Sequence, residues 1–409
     1  MNNYFEHMLD RYIGKILCFL FSQVEKIRRV FQKKGDSAAP GKILFVKPVE
    51  QGAIILALPA LKRAVDAVGR ENVYFFCLRK NRVILDILDV LPRENVFTVD
   101  DRSLFSFAAG LTHAVFQLRR LKIDTAIDLE IFARISIIIA WFSGARRRVG
   151  LHRFNSEGPY RGNLVTHKVQ YNPYIHTSQT FEVLVCAAFA DPADTPLLKE
   201  PIPELWEALP QFQPAPEDRE EAFRLLKTRL PGWTEETAAK DTLILFNPKC
   251  LDELPVRKWP DSSFVALGRK ILQSYPEATI LITGLENEKA ACEAMAREIG
   301  DGAISLAGVL SLRGLLALMT VCRVLVSTDS GPAHFAALTD LAGVILFGPE
   351  TPDLYSPLSS RMKLIYRHLT CSPCFSPMNY RLSPCRNNQC VLQITPDQVF
   401  DAVREILEG

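Results

Sequence analysis

Residues 327–337 read STDSGPAHFAA. An apolar, strand-like run ends there in a short polar turn that opens directly into a helix-like stretch. Ser330 and Gly331 give the backbone room for a close ligand, and amides at a helix start lack internal acceptors and attract phosphate. His334 stands one turn in, at the same mouth, as a donor or cation for a diphosphate. Asp329 precedes those amides and is also a natural helix cap. A second motif, NPKCLDELPVRKWP at residues 247–260, again follows a strand-like run. Arg257 and Lys258 bring positive charge to that end, and an arginine fork suits a diphosphate better than a point charge does. Taken alone, the motif reads equally well as a solvated basic loop. Four of the ten cysteines crowd together at Cys371, Cys374, Cys385 and Cys390. Their pair-plus-pair look fits a structural zinc site in part, although the second spacing is longer than in a zinc ribbon; reduced thiols or local disulfides are the alternatives. No His–Glu or Asp–Asp spacing elsewhere points to a catalytic metal.

These residues need elements to position them. A chain of 409 residues with 48% hydrophobic and 23% charged residues fits two globular α/β domains. Its net charge of +2 supplies no global field for nucleic acid. Strand-like runs at 42–46, 73–78, 96–99 and 124–129 alternate with helical stretches, and a second series follows at 242–247, 278–284, 303–308, 323–329 and 343–348. Such alternation predicts parallel sheets covered on both faces. The proline-rich stretch 191–240 between the series reads as the interdomain connection. Two such domains are expected to enclose a cleft lined by the carboxyl ends of both sheets, a place for a nucleotide-bearing ligand. The predicted organisation is an amphipathic helix and linker at 1–40, a first Rossmann-like domain at 41–205, and a second at 206–409 that includes the cysteine-rich loop.

Residues 4–31 repeat apolar side chains at helical spacing, among them Phe5, Leu9, Tyr12, Ile16, Leu20, Val24, Ile27 and Phe31. The longest uninterrupted apolar run is far below the ~20 residues that span a bilayer. Arg11, Lys15, Lys26, Arg28, Arg29, Lys33 and Lys34 surround it. Apolar residues on one side with cations on the other predict a helix lying on an anionic membrane surface; the alternative is a helix docked on its own protein. The opening residues do not form a cleavable signal peptide, and the mostly scattered cysteines fit the cytoplasm. The expected location is therefore cytoplasmic, peripheral on the inner face of the inner membrane.

In order and position these segments resemble glycosyltransferase family 9, the ADP-heptose:lipopolysaccharide heptosyltransferases. The likeness is densest in STDSGPAHFAAL, RKWP, LFGPETPDLYSP (346–357) and KPVEQGAIILALPAL (47–61), and extends to DLEIFARISIIIAWFSGARRRVG (128–150). The resemblance implies a GT-B fold, no required cofactor or metal, and inverting transfer of a heptose from an ADP-sugar to a lipopolysaccharide-core or related glycolipid acceptor. It implies that Asp329, Ser330, Gly331 and His334 hold sugar and diphosphate, with Asn247 at the diphosphate turn. Arg257, with Lys258 beside it, neutralises the leaving phosphate. Glu288 binds the ribose or adenosine, with Glu286 as the alternative, and Leu310 packs near the base.

One loop departs from the family. Where a Lys-x-x-x-x-Gly-Asp pattern places a proposed general base, this chain has Lys47, Gln51, Gly52 and Ala53. Alanine takes no proton, and general-base help is worth ~10² to 10⁴ in rate. Glu50 in the same loop is the expected substitute, with Asp128 and Glu130 next; each also reads as an ordinary surface or capping carboxylate. Two other readings stay open: a transferase of this fold with another donor or acceptor, and a noncatalytic nucleotide-sugar-binding scaffold. An epimerase of the same shape needs no membrane, and the amphipathic start counts against it.

Overall fold

A computed structural model describes residues 3–31, 39–230, 233–234, 242–248, 255–379 and 383–409. The chain divides into two compact units, Met1–Leu205 with Pro377–Tyr380, and Trp206–Ser376 with Arg381–Gly409.

The first unit begins with α1 (Asn3–Phe31), followed by β1 (Ile43–Val46), α2 (Gln51–Leu56), α3 (Leu58–Val68), β2 (Val73–Leu78), α4 (Arg82–Leu88), β3 (Val96–Val99) and α5 (Leu104–Leu121). Then come β4 (Thr125–Asp128), α6 (Arg134–Phe142), β5 (Arg147–His152), β6 (His167–Gln170) and α7 (Thr177–Ala188). The strands form one parallel sheet in the order β3-β2-β1-β4-β5-β6. The buried runs ILFV and VYFFCL are apolar at every position because helices cover both faces.

The second unit repeats the plan. It contains α8 (Pro216–Arg229), β7 (Leu243–Asn247), α9 (Asp261–Ser274), β8 (Thr279–Ile282), α10 (Lys289–Ile299), β9 (Ala303–Ser305), α11 (Leu312–Met319) and β10 (Val324–Thr328). It closes with α12 (Gly331–Ala336), β11 (Ala342–Leu346), α13 (Pro352–Tyr355), β12 (Met362–Ile365), α14 (Gln389–Leu392) and α15 (Pro396–Glu408). Its parallel sheet runs β12-β11-β10-β7-β8-β9. Its core joins Ile244, Phe246, Phe264, Ile280, Val326 and Val344 with Val399 and Val403 of α15.

Three strands went unread in the sequence. β5 opens with two arginines, and β6 and β12 are four-residue edge strands carrying charge. The stretch 191–240 is not simply a connection either. Arg313 pairs with Asp218, and Glu221 accepts hydrogen bonds from both the amide and the hydroxyl of Ser311, so α8 is built into the second unit against α11. Residues 35–38 of the predicted linker, together with Lys33 and Lys34, lie outside the described residues.

α1 is docked along one face. Asp10 accepts from the amides of Arg134 and Ile135, both at 2.8 Å, and so caps α6, whose own N-cap residue Ala133 has no side chain to do it. Glu25 is buried between Arg148 Nη2 at 2.7 Å and Trp141 Nε1 at 2.9 Å, while Phe21 stacks on Trp141. Among the described residues, no helix is long and apolar enough to cross a membrane.

Candidate functional site

In the second unit the strand order reverses between β7 and β10, and the crevice at such a switch point is where α/β sheets take ligands. Ser327 and Asn247 are partners in register, so both motifs end at this crevice. The side chains then meet: Arg257 Nη2 pairs with Asp329 Oδ2 across 72 residues of sequence. Asn388 holds the arginine's segment by donating to the carbonyls of Val256 (3.0 Å) and Lys258 (3.3 Å). Trp259, buried beneath, donates to the Ile394 carbonyl. Residues 249–254 of the motif lie outside the described residues.

Among the described residues at this crevice, Asn247 Oδ1 and Thr328 Oγ1 are buried without a hydrogen-bond partner. Buried groups of this kind are rare, and a ligand that reaches them is the economical explanation. Asn247 is held from its other side, where Nδ2 donates to Thr283 Oγ1 at 3.3 Å. Thr283 and Thr328 were missed in the sequence, although Thr328 ends β10 and Thr283 directly follows β8. His334 is buried in α12.

The helix start differs from the expectation. Ser330, not Asp329, occupies the N-cap position and makes no side-chain cap; its hydroxyl donates to the Thr328 carbonyl instead. Pro332 has no N–H, and the Ala333 amide already bonds the Ser330 carbonyl.

At the next strand end, Glu288 Oε2 accepts from the Leu285 amide at 2.7 Å and holds the turn before α10. Glu286 lies over Gly308, where φ is +75° and an added Cβ would collide with its carboxylate. Leu310 is half-buried just before the N-cap of α11.

The first unit has its own switch point, between β1 and β4. Lys47, almost fully buried, donates to Glu50 Oε2 (3.2 Å) and Glu130 Oε2 (2.9 Å). Glu130 also accepts from the Val49 amide, and burial raises its pKa. Glu50 is the most open of the carboxylates here and takes φ +69°, a left-handed conformation that costs a non-glycine residue on the order of 1–3 kcal/mol. Gln51 donates to the Lys80 carbonyl, Gly52 is buried, and Ala53 is half-buried within α2.

Asp128 is wholly buried and paired with Arg161 Nη1 at 2.8 Å; burial outweighs that cation and pushes its pKa up to about 7. With no exposed atom it does not open to an acceptor, so of the three expected bases only Glu50 and Glu130 stand at the loop. Arg161 was not legible in the sequence, where it is one arginine in the glycine-bearing loop SEGPYRGN.

Among the described residues, no group of three or more His, Cys, Asp or Glu is gathered so as to hold an ion. Cys390 is buried in the core, Cys374 Sγ turns to Ser383 Oγ at 3.5 Å, and Cys371 and Cys385 are exposed. Burial, with the other three cysteines nearby, pushes the Cys390 thiol up to about 11. Residues 380–382 of the loop lie outside the described residues.

Two Rossmann-like units, each with charged and polar groups at its own switch point, define an α/β protein of the nucleotide-ligand kind. The family model for glycosyltransferase family 9 (heptosyltransferase) matches residues 113–382, and the chain belongs to that family. It is 26% identical over 156 residues to lipopolysaccharide heptosyltransferase 2 of Salmonella typhimurium, covering 37% of this chain and 43% of that protein. It is 24% identical over 158 residues to lipooligosaccharide heptosyltransferase 2 of Campylobacter jejuni, covering 37% and 47%. The chain thus spans less than half the length of these curated relatives. Among solved structures it is similar to ADP-heptose lipopolysaccharide heptosyltransferase II of Escherichia coli, with TM-score 0.66, 18% identity, and 90% and 98% of the two chains covered. An Escherichia coli heptosyltransferase solved with ADP gives TM-score 0.62 at 17% identity, with 89% and 99% covered. At these identities the likeness shows the fold, which is of GT-B type.

Proposed function

We propose that the chain is an inverting, metal-independent glycosyltransferase that moves a sugar, a heptose by preference, from an ADP-sugar to a lipopolysaccharide-core or related glycolipid acceptor. It works from the cytoplasmic side, peripherally on the inner membrane. The observation that carries this reading is the Arg257–Asp329 pair at the β7–β10 switch point, flanked by the buried, unpartnered Asn247 Oδ1 and Thr328 Oγ1. A diphosphate entering there competes with Asp329 for the arginine fork. Arg257, Lys258 and His334 then stabilise the charge that grows on the leaving ADP, while Ser330 and Gly331 leave it room. Glu288 or Glu286 takes the ribose and Leu310 packs by the base. On the acceptor side, Glu50 removes the hydroxyl proton as that oxygen attacks the anomeric carbon. The carbon–oxygen bond to the diphosphate breaks and ADP departs.

Calorimetric titration with ADP tests the donor half. Arg257→Ala and His334→Ala should each weaken ADP binding roughly 10- to 100-fold, the scale of one charge-assisted hydrogen bond, with the fold intact by circular dichroism. Unchanged affinity in both removes the basis for the assignment. A second reading, a donor-binding scaffold without turnover, is favoured by Ala53 alone. It takes over if ADP binds but no acceptor is ever glycosylated.

A further inference from the structure

α1 is both a docked helix and an exposed one. Tyr12, Ile13, Ile16, Phe19, Leu20, Val24, Ile27, Val30 and Phe31 form a solvent-facing apolar stripe, each about half exposed or more. At about 100° per residue these nine fall on the side opposite Cys18, Ser22 and Glu25, which are buried. Contiguous apolar patches beyond a few hundred Å² mark interaction surfaces.

Charge on the helix is sorted as sharply as hydrophobicity. The two acids whose side chains are described, Asp10 and Glu25, turn inward and are bonded to the protein. Arg11, Lys15 and Lys26 are exposed, on one flank of the stripe. Beside that flank lies a pocket of about 430 Å³ between α1 and the loop after β5. Ser22, Gln23 and Lys26 wall it from the helix, and His152, Arg153 and Arg161 from the loop side. Its lining contains three strong cations and no carboxylate, and of those three Arg161 is the one paired, with Asp128. Burial and the neighbouring cations lower the pKa of His152.

We propose that α1 and this pocket form a seat for an anionic membrane lipid. The apolar stripe lies at the hydrocarbon boundary, and a phosphate-bearing head group enters between Lys26 and Arg153. A second copy of the chain is the poorer occupant, because pairing two such faces would bring like-charged flanks together. Arg161 connects the pocket to Asp128 at the end of β4, two residues before Glu130. The proposal deepens the membrane part of the functional reading and does not depend on the donor.

Flotation of the full chain with phosphatidylcholine vesicles, with and without phosphatidylglycerol, tests it. The chain should float only with the anionic vesicles, and added salt should release part of it. Lys15→Glu and Lys26→Glu should each lower partitioning roughly fivefold or more. Phe19→Asp with Ile27→Asp should abolish it, and Arg153→Glu should weaken it without touching α1. Inorganic phosphate at matched ionic strength should not compete; if it displaces the protein fully, the ligand is free phosphate and the lipid seat is overturned. No flotation, or stripe variants that change only the mass measured by light scattering, overturns it as well, the latter in favour of a dimer. ADP titration on the same preparations separates the two readings. ADP affinity without flotation sinks only the lipid seat, and flotation without ADP affinity sinks only the donor site.

Discussion

Lys47 is shared by two carboxylates of unequal freedom. Glu130 is tied to Lys47 and to the Val49 amide, whereas Glu50 pairs with Lys47 and is the more exposed of the two. A residue that keeps a left-handed backbone without being glycine is held there by its surroundings, and such strain gathers at functional positions. Glu50→Gln should therefore lower turnover about 10²-fold or more while ADP affinity stays within about twofold, since the substitution keeps the shape and removes the base. Ala53→Asp added to that variant should restore part of the rate by supplying the carboxylate usual in the family. Steady-state kinetics with the true acceptor decide: wild-type turnover in Glu50→Gln excludes Glu50 and moves the role to Glu130.

At the scale of elements, α1 belongs to the core of its unit as much as to its surface. Arg148 is 1% exposed, and Glu25 of α1 is its carboxylate partner. Removing one side of a buried pair leaves an uncompensated charge, at a cost of about 3–5 kcal/mol. Glu25→Ala should lower unfolding stability by that order, read from the urea midpoint at unchanged slope. A midpoint shift under about 1 kcal/mol would mean that α1 is only laid on the surface. By the same logic, a chain starting at Lys42 loses the Asp10 cap of α6 and the cover over Trp141, so truncation is no clean test of lipid binding. Point substitutions on the stripe are.

Across the whole molecule, the residues proposed for the donor lie in one unit and the loop proposed for the base in the other. ADP at about 100 times its dissociation constant should stabilise the state that binds it by about 2.7 kcal/mol. In a thermal scan, the transition of the unit spanning Trp206–Ser376 should move up by several degrees, and that of the N-terminal unit should follow only if the two unfold together. Calorimetry with the Glu25→Ala variant separates the transitions. Equal shifts of both, with the N-terminal unit already weakened, would show coupling; a shift of the N-terminal transition alone would put the nucleotide in the wrong unit.

Nine of the twelve described strands were legible, most of them because a strand buried on both faces is an apolar run bounded by turns, as in ILFV, VYFFCL and LILFN. β5, β6 and β12 were not: the arginines of β5 find partners far away in sequence, and β6 and β12 are short edge strands carrying charge. Arg148 is the example: its pattern reads as surface until Glu25, 123 residues earlier, is placed against it. The motifs named Arg257 and Asp329 separately, since each follows a strand, but their pairing depends on β7 and β10 being neighbours, which is a matter of strand order. The cysteine spacing leaves zinc, reduced thiols and disulfides open, because spacing says nothing of where each sulfur turns. Hydrophobic periodicity is local and survives in the sequence. Charge partnership, helix docking and the burial that separates Asp128 from Glu50 and Glu130 are long-range, and only the packed chain decides them.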